Sequence, residues 1–298
     1  MRYLLTFTLW INIMASTFLS AQSQNPFGIP SEEAPAPSSN IVAAPGSRAQ
    51  GWLNQGRSEV IARHGVVATS DSLAAQAGLE ILQQGGNAID AAVAAGSVLD
   101  VTSQNDTGIA GDLFALVYIA AEKKLYALNS AGWAPARWTP EFFKKELGLD
   151  RVPVTGVNAA TVPGAISGYD AMLNRFGTMG FKETFERAAR IADEGWGQGE
   201  RRHRDIVSAE QRLRQDDYSA EVFLEDGKAP HLYSIIRNPD LADALRLMQE
   251  EGRDAFYKGA IADAIVAKVQ SEGGVMTHAD LAEFESEWVE PINTNYHG

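Results

Sequence analysis

After Asp71 and Ser72, Ala74, Ala77, Ile81 and Leu82 recur at i, i+3, i+7 and i+8, the spacing of one face of a helix. Either Asp71 or Ser72 can cap it, and Gly85-Gly86 supplies the left-handed geometry that closes it. Asn87 can then cap a second helix, Ala88 to Leu99, which carries mostly Ala, Val and Gly on nearly every side. Small side chains all round predict an interior helix packed closely against other backbone. Thr107 to Asp112 is too glycine-rich to continue it. The apolar runs Leu113 to Ala120 and Leu125 to Ser130, separated by Glu122-Lys123-Lys124, read as two core strands joined by a hairpin turn.

Further along, Ala134-Pro135 and Thr139-Pro140 break the chain. Thr139 can cap a short helix with Pro140 at its first position and Phe142-Phe143 facing inward. Val154 to Pro163 suggests another strand, and Gly164 to Leu173 and Phe185 to Glu194 read as helices, the second stopped by Gly195. Leu241, Leu245 and Met248 mark an amphipathic helix from Pro239 to Glu251, ended at Gly252. Another runs from Ala260 to Glu272 and ends at Gly273-Gly274. Thr277 and Asp280 then stand three apart, as in a capping box.

Composition narrows the class. With 298 residues and 45% hydrophobic content the chain can bury a large core. A formal net charge of −13 argues against nucleic acid or an anionic membrane as partner, because phosphate binding needs clustered Lys and Arg. Zero Cys excludes disulfides, thiolate nucleophiles and Cys-ligated zinc within these residues. Arg2 followed by the mostly apolar Leu4 to Leu19 reads as a signal peptide over residues 1–23, too short for a comfortable membrane span. Residues 24–50, rich in Pro, Ala and Ser, have linker composition, which leaves 51–298 as the folded body.

Generic catalytic motifs are nearly absent. Gly164-Ala-Ile-Ser167-Gly168 lacks the spacing of a nucleophile elbow and reads as a helix start. Gly195-Trp-Gly197-Gln-Gly199 lacks the strand and helix context of a phosphate loop and reads as a plain helix exit. His64, His203, His231, His278 and His297 show no pair at i, i+4, so no zinc-protease helix is expected and no metal ligand is assigned. Arg201-Arg202-His203-Arg204 reads as a solvated basic turn.

Taken in order, a set of short segments resembles the γ-glutamyltransferase (glutathione hydrolase) family of the N-terminal nucleophile hydrolases. They are Gln84-Gly85-Gly86-Asn87-Ala88, Asp90-Ala91-Ala92-Val93-Ala94-Ala95, and Thr107-Gly108-Ile109-Ala110-Gly111. Val162-Pro163-Gly164-Ala165, Ile191 to Gly195, Gly252 to Gly259, Gly273-Gly274 and Asp280-Leu281 continue the series. The resemblance covers Gly65 to Gly298 and is to part of that family's large subunit.

Several expectations follow from the resemblance. The fold class is α+β, a four-layer αββα architecture of which this chain supplies the large-subunit portion. The family acts on a small-molecule γ-glutamyl or related amide through a Thr that becomes a new N-terminus, with its hydroxyl as nucleophile and its own amine as base. That Thr falls beyond Tyr296-His297-Gly298, so no catalytic residue is assigned within 1–298 and a small-subunit half is the expected partner. Thr277-His278 looks like the nucleophile's Thr-His pair, but its neighbours match a helix start well upstream. No cofactor is implied, and neither is a stable membrane span after signal cleavage; the implied location is secreted or periplasmic.

The large subunit's chief contribution in the family is an Arg, in a Gly-Arg-Glu-Thr-Ala-Pro context, that pairs with the substrate α-carboxylate. Aligning Ala134-Pro135 with that motif puts Ala131 at the Arg position, or Trp133 by the shorter Gly-Arg-Ala-Pro variant. Trp133 and Arg137, the nearest cation, are therefore the substrate-binding candidates. A same-fold acylase with a different acyl donor, and a non-catalytic truncated remnant, are the alternatives.

Overall fold

The computed structural model describes residues 60–296. The signal-peptide and linker expectations for residues 1–50 therefore lie outside the described residues. Helix α1, Ser72–Gln83, starts where Asp71 accepts from the Leu73 N–H at 2.7 Å and buries Ala74, Ala77, Gly78 and Ile81. Gly85, at φ 94°, turns the chain out of it. Helix α2, Ala88–Thr102, opens with a full capping box: Asn87 accepts from the N–H groups of Ile89 and Asp90, and Asp90 accepts from the Asn87 N–H. Asp90 also accepts from the Thr178 and Met179 N–H groups and from the Thr178 hydroxyl. Burial works against the Asp90 charge, but these bonds outweigh it and hold its pKa below the ordinary value. As the small side chains predict, α2 is interior, with Ala91, Val93, Ala94, Ala95, Val98 and Val101 buried.

Strands β1, Leu113–Ile119, and β2, Lys124–Ser130, form the predicted hairpin, with Lys123 at φ 53° in its turn. The third strand, β5 (Glu287–Val289), comes from far along the chain and pairs antiparallel to β2, giving the order β1-β2-β5. Alternation then sorts the side chains by face. Val117 and Leu128 point to the helices and are buried. Phe114, Leu116 and Tyr118 stand on the opposite face with Leu125 and Val289 beside them, and the first three are 71%, 70% and 60% exposed.

On the inner face lies α3, Ala165–Phe176, while the pair α4, Phe181–Thr184, and α5, Glu186–Glu194, packs against α2. A ribbon of β3, Trp196–Gly197, and β4, Ile235–Ile236, brackets α6, Glu200–Leu213, and α7, Asp217–Phe223. The predicted helices follow as α8, Pro239–Glu251, and α10, Ala260–Ser271, separated by the short α9, Arg253–Tyr257. Last is α11, His278–Ala282, with the Thr277/Asp280 capping box in place. Leu245, Met248, Phe256, Tyr257 and Phe284 fill the core between them and are essentially inaccessible. The described residues thus mix helix with sheet, and their three-stranded sheet carries helix on its inner face.

Three sequence expectations are corrected. Val154 to Pro163 is not a strand. Gly156, at φ 82°, turns the chain, and Val157–Ala159 forms a 3₁₀ turn. The Arg201 cluster is no loose turn but the first turn of α6, where Arg202 binds back onto the segment after α2. Its guanidinium donates to Asn105, Asp106 and Ser103. The Gly195 to Gly199 stretch does lead through a strand into a helix, since Trp196 pairs with Ile236 and Gly199 is the cap position of α6. The short helix after Thr139 forms with a π-helical turn, Phe142–Glu146, and both Phe side chains are buried.

Candidate functional site

Three loops meet at the end of the sheet where β1 begins and β2 ends: the glycine-rich turn 107–112, the segment 131–138 after β2, and the turn 162–165 that enters α3. They are knitted by backbone. The Gly111 carbonyl accepts from both Gly164 and Ala165 N–H groups, at 2.9 and 2.8 Å, which fixes the start of α3. Asp112 accepts from the Gly132 N–H at 2.7 Å, and the Val162 N–H donates to the Trp133 carbonyl at 3.0 Å. The chains approach so closely that a Cβ on Gly132 would sit 1.8 Å from the Val162 oxygen, and one on Gly164 would sit 2.0 Å from the Ser130 oxygen.

Beneath these loops a hydroxyl cluster joins three elements. Ser130, at the end of β2, donates to the Gly164 carbonyl at 2.7 Å and lies 2.6 Å from the Ser286 hydroxyl. Ser286 bonds the Ser167 hydroxyl of α3 at 2.8 Å, and its N–H donates to the same oxygen. Tyr257 closes the layer by donating to the Pro163 carbonyl. None of these serines contacts an imidazole: His278, the one His with a side-chain bond among the described residues, pairs with Asp263. The cluster is therefore built to hold loops, and it lacks the base a serine nucleophile needs.

Asp100 anchors the glycine-rich turn from below. Its carboxylate accepts from the Tyr169 hydroxyl at 3.0 Å and from the Thr107 hydroxyl and the Gly108 N–H. Burial raises its pKa from 3.8 to about 7, despite those three donors, which favour the charged form. A carboxylate raised in this way contributes stability that is full below its unfolded pKa and is lost as pH rises through the folded value. Across about pH 4 to 7 that loss is on the order of 4 kcal/mol. Asn at this position can accept from the Gly108 N–H and donate to a hydroxyl, so Asp100→Asn should fold and flatten that part of the pH–stability curve. Urea unfolding midpoints over this range check it, and equal slopes in both proteins would remove Asp100 as the cause.

The sequence-derived candidates lie on these loops but are not brought together. Trp133 is 44% exposed and packs edge-on against Phe284 at 5.1 Å. Arg137 pairs with Glu146 at 2.9 Å and lies over the Phe142 ring. Ala131 donates its N–H to Asn129. No basic side chain occupies position 131 or 133. Among the described residues no group of three or more His, Cys, Asp or Glu is placed to hold a metal ion. Sequence reasoning did not find Asp100, Asp112 or the serine cluster as loop anchors. Asp112 carried a signal, as an acidic residue at the end of a glycine-rich turn.

The family profile described as Gamma-glutamyltranspeptidase matches residues 74–298. A glutathione hydrolase-like proenzyme of Bacillus subtilis, YwrD, is 34% identical over 240 residues, covering 80% of this chain and 45% of that protein. Helicobacter pylori gamma-glutamyltranspeptidase superposes with a TM-score of 0.76 at 30% identity, covering 81% of this chain and 70% of that one. A cephalosporin acylase from Bacillus halodurans superposes with a TM-score of 0.73 at 36% identity, covering 83% and 48%. The chain spans about half the length of the curated relatives it matches.

Proposed function

This chain belongs to the gamma-glutamyltranspeptidase family, and from that premise we propose that it is the large-subunit portion of an enzyme that hydrolyses or transfers the acyl group of γ-glutamyl or similar amides. The reading rests on the continuous family match from residue 74 to 298, which takes in the glycine-rich turn and the Ala131 to Trp138 loop. The nucleophile is a Thr at a new N-terminus, outside these 298 residues and carried by a small-subunit half. Its hydroxyl attacks the amide carbon while its own amine takes the proton and passes it to the leaving amine; water or an acceptor amine then releases the acyl group. The loops at the end of the sheet are assigned to the acyl donor.

An acylase with a different donor is the second reading. One observation favours it: Arg137 is held by Glu146, and positions 131 and 133 carry Ala and Trp. A γ-glutamyl α-carboxylate would then lack a charge-assisted pair worth about 1.5 to 3 kcal/mol, roughly one to two decades of affinity. With the Thr-bearing half present, glutathione should be a poor substrate, and Ala131→Arg or Trp133→Arg should lower KM for a γ-glutamyl anilide about tenfold. Micromolar saturation of the unmodified enzyme by glutathione would refute this, and its loss in Arg137→Ala would make Arg137 the carboxylate ligand.

Export to the periplasm or medium is proposed from Arg2 and the Leu4 to Leu19 pattern. A mature start between Gln22 and Gln24 in mass spectra of exported protein is the check, and an intact Met1 in cytosolic protein would contradict it. No helix among the described residues is long and apolar enough to cross a membrane.

A further inference from the structure

The loop from Ala131 to Trp138 is held at two places. Its first part is tied to the glycine turns, since the Gly132 N–H donates to Asp112 and the Trp133 carbonyl accepts from the Val162 N–H. Its far part is tied to α11, 144 residues further along the chain, where Asp280 Oδ1 accepts from the Ala136 N–H at 2.7 Å. Pro135, between the two anchors, has no N–H to offer. Its carbonyl accepts from the Trp138 N–H at 2.8 Å, so residues 135–138 form a turn with Ala136 at its second position. Trp133 reaches the same support through its ring, edge-on to Phe284 at 5.1 Å. Phe284 is 2% exposed and its carbonyl accepts from the Arg253 guanidinium, which makes that support rigid.

Capping α11 occupies only one oxygen of Asp280. Its Oδ2 accepts from the Thr277 N–H at 2.8 Å and from the Thr277 hydroxyl at 2.7 Å, which completes the cap. Oδ1 serves the loop. The side chain belongs to a buried residue, while Trp133, Ala136 and Arg137 lie at the surface, so the carboxylate holds the loop from beneath. We propose that Asp280 is a positioning residue for the acyl donor: through the Ala136 N–H it sets where the loop lies, and with it Trp133 and Arg137 on either side of the anchor. This rests on the assignment of these loops to the donor. Without Oδ1 the Ala136 N–H turns to water and the loop lifts. The loop would meet the donor away from the breaking bond, so its displacement weakens binding and leaves the chemical step alone.

The test uses the chain assembled with its Thr-bearing half and γ-glutamyl p-nitroanilide as the probe. Asp280→Ala should raise KM about tenfold and leave kcat within about twofold. Ala136→Pro removes the same bond from the loop side, at a turn position that Pro favours, and should split KM from kcat in the same way without touching α11. Thr277→Val is the comparison: it removes the cap hydroxyl and keeps the Ala136 bond, so it should lower the urea midpoint and leave KM as it was. Hydrogen exchange of the peptide spanning 131–138, which needs no turnover, should quicken in Asp280→Ala and stay unchanged in Thr277→Val. Turnover with an unaltered KM in both Asp280→Ala and Ala136→Pro would overturn the inference and leave the amide reading standing. An equal rise of KM in Thr277→Val would overturn it too, by making the cap the cause. No turnover by the unmodified assembly would overturn the amide reading itself, and the role of Asp280 with it.

Discussion

Gly164→Ala should destabilise the chain by about 3 kcal/mol or more, and Gly132→Ala by a similar amount. The two positions face each other across the same crossing. A methyl on Gly164 meets the Ser130 carbonyl at 2.0 Å, and one on Gly132 meets the Val162 carbonyl at 1.8 Å. Both obstacles are backbone, so no side-chain rotation relieves them. Relief requires the turn at 162–165 to lift away from the end of β2. That movement stretches the bonds from Gly164 and Ala165 to the Gly111 carbonyl and the bond from Ser130 to the Gly164 carbonyl. Gly197 is the comparison, since a methyl there meets nothing within 4 Å and its φ is not in the left-handed region. Gly197→Ala should cost no more than about 0.5 kcal/mol. Urea denaturation of the three variants separates the cases: comparable midpoints for Gly164→Ala and Gly197→Ala would show that the loops have room the geometry denies.

The contrast between these glycines and the helix caps explains what could be read in advance. Asp71, Asn87 and Thr277 act on amides two or three residues away, so a short window of sequence contains both partners. The interior helix α2 was legible for the same reason, because its small side chains lie in one run. Ser130, Ser167 and Ser286 have their partners 119 or 156 residues away, and no periodicity links them. Arg202 was misplaced because its neighbours Arg201, His203 and Arg204 give a basic run the look of a solvated surface. Its partners Asn105 and Asp106 come from a loop 96 and 97 residues earlier. Val154 to Pro163 failed in the other direction, since its Val and Thr residues imitate a strand that Gly156 interrupts. The glycine-rich turn was placed correctly, but the buried carboxylate of Asp100 that holds it depends on Tyr169, 69 residues on.

The 298 residues alone are expected to be catalytically silent, for reasons visible in their chemistry and in their sheet. Acyl transfer through a hydroxyl needs a base within hydrogen-bond reach, and among the described residues no imidazole bonds a Ser or Thr hydroxyl. The sheet adds a second expectation. Phe114, Leu116 and Tyr118 alternate with the half-buried Leu113, Ala115 and Ile119 and the buried Val117 along β1, so the strand is apolar on both faces, the pattern of a strand covered on both sides. In an αββα arrangement the open face is where a second sheet packs. The isolated chain should therefore bind a hydrophobic dye strongly, and Leu116→Lys with Phe114→Lys should remove most of that binding without unfolding the helices. Adding the Thr-bearing half should suppress dye binding and bring activity with it. Release of p-nitroaniline from its γ-glutamyl derivative, followed through gel filtration, is the decisive assay: a rate that elutes with the isolated chain would mean that a nucleophile lies within these residues and that the proposed Thr does not act alone. Weak dye binding unchanged by the two lysines would mean instead that the outer face of the sheet is already covered.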